Sequence, residues 1–283
     1  MMEKNYLSID PNETPLPQLH QYLLGSIGPR PICFASTIDE EGRPNLAPFS
    51  FFNVFSANPP VIIFAPNNSG RDGTPKHTYL NAKQVPEVVV NVVNKEIVEK
   101  MNVAAAPWDR GISEFEKAGF TPLKSELVKP FRVAESPVQM ECKVLEVKEL
   151  GTGGGAGNLV IAQVVKIHIH SNLIDSDGRI DQQKIGLVGR MGGAWYCETS
   201  PENMFQLAQP MSKVLGFDAL PEKAKNSNIL SANDLGKLAV LPGSLEAEFI
   251  QKTKEEFGAE NAEQKAKKLI AENRREEALA LLL

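Results

Sequence analysis

A mainly-β fold of the barrel or sandwich kind, with short helices and a C-terminal helical tail, is predicted by three observations. Apolar, β-branched runs recur at short intervals through the first 170 residues. Polar turns bearing Gly or Pro separate them. The helices of about ten or more residues that parallel crossovers require are missing between them, which argues against a doubly wound α/β sheet.

The elements follow in order. Residues 1–30 carry four prolines and read as irregular. ICFASTI (32–38) and LAPFSFFNVFS (46–56) flank the polar segment DEEGRPN, and the three together read as a hairpin. NPP leads into a strand at VIIFA (61–65), and the polar stretch 66–78 then breaks the β pattern. A short helix is expected around Tyr79–Lys83, and the β-branched run EVVVNVV (87–93) is the next strand. Residues 95–118 read as interrupted helix. PVQMECKVLEVKEL (137–150) and NLVIAQVVKIHIH (158–170) are partner strands, joined by GTGGGAG as a flexible tip. A D-G turn lies at Asp177–Gly178, and no period emerges from 182 to 210. After Pro210 the composition shifts, and from Ser244 it is rich in Glu, Lys, Ala and Leu, all strong helix formers. Leu245 with Phe249, and Ala262 with Ala266, share helix faces at i, i+4, as a tail packed on the barrel or on a partner subunit would. The expected domains are 1–210 and a helical extension, 211–283.

Bulk properties narrow the function. A net charge of −5 argues against nucleic acid as the main partner, while leaving room for one small anion held by a local basic cluster. No run approaches the ~18 apolar residues of a membrane span, and MMEKNYLSIDPNETP has no apolar secretory core, so a cytoplasmic protein without a membrane partner is expected. Cys33, Cys142 and Cys197 are odd in number and widely spaced, which fits core cysteines rather than a disulfide or zinc framework. Gly151–Gly157 lacks a following helix and the Walker Lys, so it is not a phosphate loop. His168 and His170 share a strand face without a local third ligand, so no metal site is expected; one of them facing a ligand cavity is the more moderate option. Asp175, Asp177 and Asp181 lack calcium-loop spacing, and no G-x-S-x-G is present.

Two segments carry chemistry. Phe49, Phe51, Phe52 and Phe55 are interleaved with Ser50, Asn53 and Ser56, a mixture suited to a planar, hydrogen-bonding ligand. A packed strand with polar residues outward would have the same composition. Ser69, Arg71, Lys76, His77 and Thr78 follow within a Gly-bearing loop that could meet the about −1.5 to −2 charges of a phosphomonoester. A solvated loop would also look like this.

The runs Arg30-Pro31, Ser36-Thr37, GRPNLAPFSFFN (42–53), NPP (58–60), KHT (76–78), VVN (89–91) and DGRIDQQKIGLVGRMGGAWY (177–196) resemble the flavin-reductase-like, FMN-binding split-barrel family over about residues 18–205. The resemblance implies FMN between the subunits of a homodimer. Ser36, Thr37 and the 47–53 segment (Ala47, Pro48, Phe49, Ser50, Phe51, Asn53) would lie near the isoalloxazine, and Ser69, Arg71, Lys76, His77 and Thr78 at the phosphate. Arg190 would lie near the flavin, and His168 is a further candidate for the cavity lining. His77 stands where the family often has Asp, which puts the phosphate geometry in question. The activity implied is FMN-dependent oxidoreduction of the NAD(P)H:flavin reductase type, with NADH or NADPH as reductant. Electrons would pass to a small-molecule acceptor, or reduced flavin would pass to a partner oxygenase. The alternatives are a flavoprotein oxygenase or ferric-chelate reductase acting on its own substrate, and a non-catalytic flavin-binding or assembly module. No acid–base residue is assigned, because the flavin carries the chemistry.

Overall fold

The computed structural model of the chain describes residues 6–207, 209–210, 213–258 and 260–283. Backbone contacts divide it into two units, Met1–Met204 and Phe205–Leu283. The expected boundary after Pro210 abuts Met211 and Ser212, which lie outside the described residues.

In the first unit, helix α1 (Leu16–Ser26) precedes strands β1 (Cys33–Ile38), β2 (Pro44–Phe49), β3 (Phe52–Ala57) and β4 (Pro60–Phe64). Then come α2 (His77–Gln84), β5 (Glu87–Val92), α3 (Val98–Ala104), α4 (Glu114–Ala118), and the two-residue strands β6 (Pro122–Leu123) and β7 (Arg132–Val133). The long strands β8 (Val138–Glu149) and β9 (Asn158–Ile169) follow, and the short β10 (Val188–Arg190) and β11 (Tyr196–Glu198) close the unit. Seven strands form one antiparallel sheet in the order β2-β1-β5-β8-β9-β4-β3.

The predicted β1/β2 hairpin is present, with Cys33 opposite Phe49 and Ile38 opposite Pro44. Gly42, at φ 80°, supplies the left-handed turn residue. Asp39 accepts hydrogen bonds from the amides of Glu41 and Arg43 and from Arg43 Nε. The run 46–56 is not one strand, however. It breaks at Ser50-Phe51, so that β2 pairs with β1 at one edge of the sheet and β3 with β4 at the other. Two linking residues span at most about 11 Å from Phe49 to Phe52. The sheet must therefore curl until its two edges nearly meet, a barrel left open between β2 and β3.

Two cores fill the faces of this sheet. Cys33, Ala35, Ile62, Phe64, Val88, Val90, Val160 and Ala162 form one; Phe34, Leu46, Met101, Phe115, Phe120 and Val133 form the other, under α3 and α4. Alternate residues of β1 enter each core, which explains why all six are buried. Burial pushes the Cys33 thiol up and the Cys142 thiol to about 12, as inert core cysteines require.

Two elements depart from expectation. Residues 1–30 are not irregular throughout: Pro15 and Pro17 sit at the N-terminal end of α1, where the missing amides cost nothing. Strands β10 and β11 are three residues each, too short to show a period.

The second unit contains α5 (Glu222–Lys225), α6 (Ala232–Ala239), α7 (Ala247–Phe257), α8 (Ala262–Ala271) and α9 (Arg275–Leu282). Helix therefore begins well before Ser244. The α6 start is fixed by a capping box between Ser231 and Asp234. Leu220, Leu238, Ala266, Leu269, Ile270, Leu279 and Leu282 form a core internal to this unit, so the extension has its own packed interior. Among the described residues no helix is long and apolar enough to cross a membrane.

Candidate functional site

The break between β2 and β3 opens onto a groove of about 880 Å³. Pro48, Phe49, Ser50 and Phe51 form one wall, and Met101 and Pro107 add apolar surface. The Phe49 ring is fixed against Phe64, with centroids 5.7 Å apart.

A second wall is the loop after β4. Ser69 N donates to Thr74 O (2.8 Å) and Gly73 N to Ser69 O (2.9 Å), closing a tight turn that Gly73 completes at φ 73°. Asp72 shapes this turn from inside. Its carboxylate accepts from the Thr74 hydroxyl (2.7 Å) and amide (3.0 Å), and these bonds, with the Ser69 hydroxyl, hold its pKa down at about 2. Ser69, Arg71, Thr74 and Lys76 line the groove beside it.

The third side is built on arginine. Arg30 and Arg190 exchange backbone hydrogen bonds of 2.9 Å in each direction. The buried Arg30 guanidinium donates to the carbonyls of Leu24 (2.9 Å), Ile27 and Met191 (2.9 Å), and reaches Ser50 Oγ at 3.5 Å. It thus clasps the end of α1, the hairpin of β10 and β11, and the β2–β3 break together. Burial, then Arg190, lowers its pKa. Arg190 lies 4.6 Å from the Tyr196 ring centroid and donates to the Tyr196 hydroxyl and to Gly193 O (2.7 Å). Arg30, Arg71, Lys76 and Arg190 face the groove against one acid, Asp72, in a chain of net charge −5. The groove therefore concentrates positive charge beside an aromatic wall, as an anionic ligand with a planar ring requires.

A smaller pocket of about 230 Å³ shares Pro48, Phe49, Thr74 and Lys76 with the groove and adds Ala47, His77, Thr78, Trp108 and Glu114. Burial, then Arg110 and Lys76, lowers the His77 pKa, which favours the neutral imidazole there. Glu114 accepts from Leu46 N at 2.9 Å, covering a free amide of edge strand β2, and burial pushes its carboxyl pKa up. No cation pairs with it among the described residues.

The structure thus brings Pro48, Phe49, Ser50, Phe51, Ser69, Arg71, Lys76 and Arg190 to one groove, with Ala47, His77 and Thr78 in the adjoining pocket. Four expected residues lie elsewhere. Ser36 and Thr37 are wholly enclosed, because both faces of β1 are covered. Asn53 is exposed on β3, its side-chain oxygen accepting from Val54 N. His168 does not face the groove: its Nε2 lies 2.7 Å from the buried Glu141. Among the described residues no group of three or more His, Cys, Asp or Glu is arranged for a metal ion. Sequence reasoning missed the clasp role of Arg30, the turn role of Asp72 and the placement of Glu114. The Arg-Pro and Asp-Gly pairs were the available signals for the first two; Glu114 had none, since its partner lies 68 residues away.

Residues 25–184 match the flavin reductase like domain family. Among solved structures, nitrilotriacetate monooxygenase component B from Bacillus cereus is 33% identical, with a TM-score of 0.67 over 72% of this chain and 100% of that one. The 2-nitrobenzoate 2-nitroreductase of Pseudomonas fluorescens is 28% identical, with a TM-score of 0.64 over 72% and 97%. A split-barrel-domain protein from Shewanella frigidimarina is 26% identical, with a TM-score of 0.60 over 70% and 96%. The curled seven-stranded sheet is a split β-barrel of this kind.

Proposed function

We propose, from the premise that the chain belongs to the flavin reductase like domain family, that it is an FMN-dependent oxidoreductase reduced by NADH or NADPH. The observation that carries this reading is the joining, in one groove, of four cationic side chains and the Pro48–Phe51 wall. The donor set fits FMN: a phosphomonoester needs several charged and polar partners, and Arg71 and Lys76 face the groove with the Ser69 hydroxyl, bonded to Asp72, beside them. When bound, flavin would supply the hydride-accepting and electron-donating chemistry that no side chain of the groove provides. The protein's own part is positional and electrostatic. Phe49 and Phe51, which line the groove, would present apolar surface to the ring system and shield it from water. Arg190, held by Tyr196 and Gly193, would place a fixed positive charge beside the reduced ring or an anionic substrate.

A homodimer is supported by apolar side chains left exposed on the barrel. Val54 and Phe55 on β3 are 65% and 64% exposed, and Ile167 on β9 is 52% exposed. A partner oxygenase as electron acceptor is supported by the Bacillus cereus neighbour, a monooxygenase component B. A second reading, in which the protein reduces its own small organic substrate, is favoured by the nitroreductase neighbour.

The test is the absorbance spectrum of purified protein after FMN addition and desalting, followed by NADH or NADPH. Retained flavin bands that bleach support a reductase, and oxidation of the nicotinamide with free flavin or with an organic acceptor then separates the two readings. Retained flavin that neither nucleotide bleaches favours a binding module instead.

A further inference from the structure

Strands β8 and β9 run twelve residues each, and the glycine-rich tip between them packs on the 67–70 segment that lines the groove. It is not the flexible tip its composition implies. Asn68 N donates to Ala156 O at 2.9 Å, and Gly155 N returns a bond to Asn68 O at 3.1 Å. The side-chain amide of Asn67 reaches Gly155 O (3.3 Å), and that of Asn68 reaches Gly153 O (3.4 Å). Behind them Asn158, only 2% exposed, donates to Asn68 Oδ1 (2.9 Å) and Pro66 O (3.1 Å). At Gly154 the two backbones approach so closely that a Cβ would stand 3.1 Å from Ser69 O and 3.4 Å from Gly70 O. The same end of the hairpin reaches α2, where Tyr79 and Lys83 both bond Glu149, the lysine at 3.0 Å. The segments bearing Arg71 and Lys76 are therefore tied to one hairpin end.

We propose that the Gly153–Gly157 tip and Asn158 form a positioning element that presents Ser69 and Arg71 to the phosphate of the bound flavin nucleotide. The inference rests on the reading of the 69–76 segment as the phosphate end of the site. The loop carries little apolar burial of its own, so the entropy of ordering its donors would otherwise be lost at each binding event. The hairpin removes that cost beforehand. Glycine at 154 is required by the close approach, and asparagine at 158 by its two donations.

The test compares FMN with riboflavin, which has the same ring and ribityl chain but no phosphate. Both are titrated by flavin fluorescence against wild type, Gly154→Ala, Asn158→Ala and, as a control at an exposed position of the same tip, Thr152→Ala. Loss of one oriented charged contact corresponds to about tenfold weaker FMN binding in Gly154→Ala and Asn158→Ala, with riboflavin affinity changed by less than about twofold. Thr152→Ala should match wild type for both ligands. Equal weakening for both ligands, or unchanged FMN affinity in both variants, would overturn the positioning role, because damage to the fold alone does not discriminate between them. Wild type that binds FMN and riboflavin equally would instead remove the phosphate reading itself, and the inference with it.

Discussion

Two sets of polar side chains have opposite fates in this molecule. Thr37, Asn45, Thr78 and Asn81 form an enclosed network, with Asn45 Nδ2 donating to Thr78 Oγ1 (2.9 Å) and Thr37 Oγ1 (3.3 Å) and Asn81 Nδ2 donating to Thr37 Oγ1 (3.2 Å). Arg71 and Lys76 line an open groove beside Ser69 and Thr74, whose hydroxyls bond Asp72, on a loop whose backbone is satisfied by itself and by the Gly153–Gly157 tip. The first set sits on or under a strand covered on both faces; the second sits where the chain leaves the sheet. Backbone context, more than residue type, decides whether a donor holds the fold or is free for a ligand.

The largest expected effect breaks the open set. Arg71→Ala with Lys76→Ala should weaken FMN binding by about 3 kcal/mol or more, since charged hydrogen bonds are worth about 1.5–3 kcal/mol each. Calorimetric titration with unchanged affinity would take this loop out of the site. The next breaks the enclosed set. Asn45→Ala removes the donor shared by Thr37 and Thr78 and should cost about 1–3 kcal/mol of stability in chemical denaturation, the usual cost of stranding buried polar groups. FMN affinity should change far less than in the double variant.

Ser36→Ala sharpens the contrast. Ser36 Oγ is buried with no hydrogen-bond partner among the described residues, so its removal should leave stability unchanged or raise it by up to about 1 kcal/mol. Glu114→Gln tests the neighbouring acid. A carboxyl pKa raised on folding means that the native state holds the proton more tightly, so stability falls as pH rises above the group's ordinary 4.5. Glutamine keeps an acceptor for Leu46 N without the buried charge. The variant should be more stable than wild type near neutral pH, with the advantage shrinking toward about pH 4. An advantage that did not vary with pH would mean that Glu114 is not titrating as its burial implies.

The strands were legible because each carries enough β-branched residues to show against polar turns, and the apolar wall at 48–51 was legible because it opens a cluster of four phenylalanines over 49–55. The division of that cluster between two sheet edges was not, because continuous hydrophobicity does not record where pairing changes partner. Ser36 and Thr37 carry the chemistry of a binding motif, but β1 lies between β2 and β5 with α2 packed on it and Asn81 bonding the Thr37 hydroxyl, and that burial arises from distant parts of the chain. His168 reads as a cavity residue until Glu141, 27 positions away, is seen beside it. The helical unit read as a tail because Pro221 and Pro242 interrupt its first half, although Leu238 and Leu279 meet in its core.

A crystal structure of the protein grown with FMN decides whether the groove holds the nucleotide with its phosphate at the 69–76 loop. The phosphate oxygens should lie within hydrogen-bond distance of Ser69, Arg71 and Lys76, with the ring against Phe49 and Phe51. A flavin whose phosphate lies away from these residues would contradict this placement.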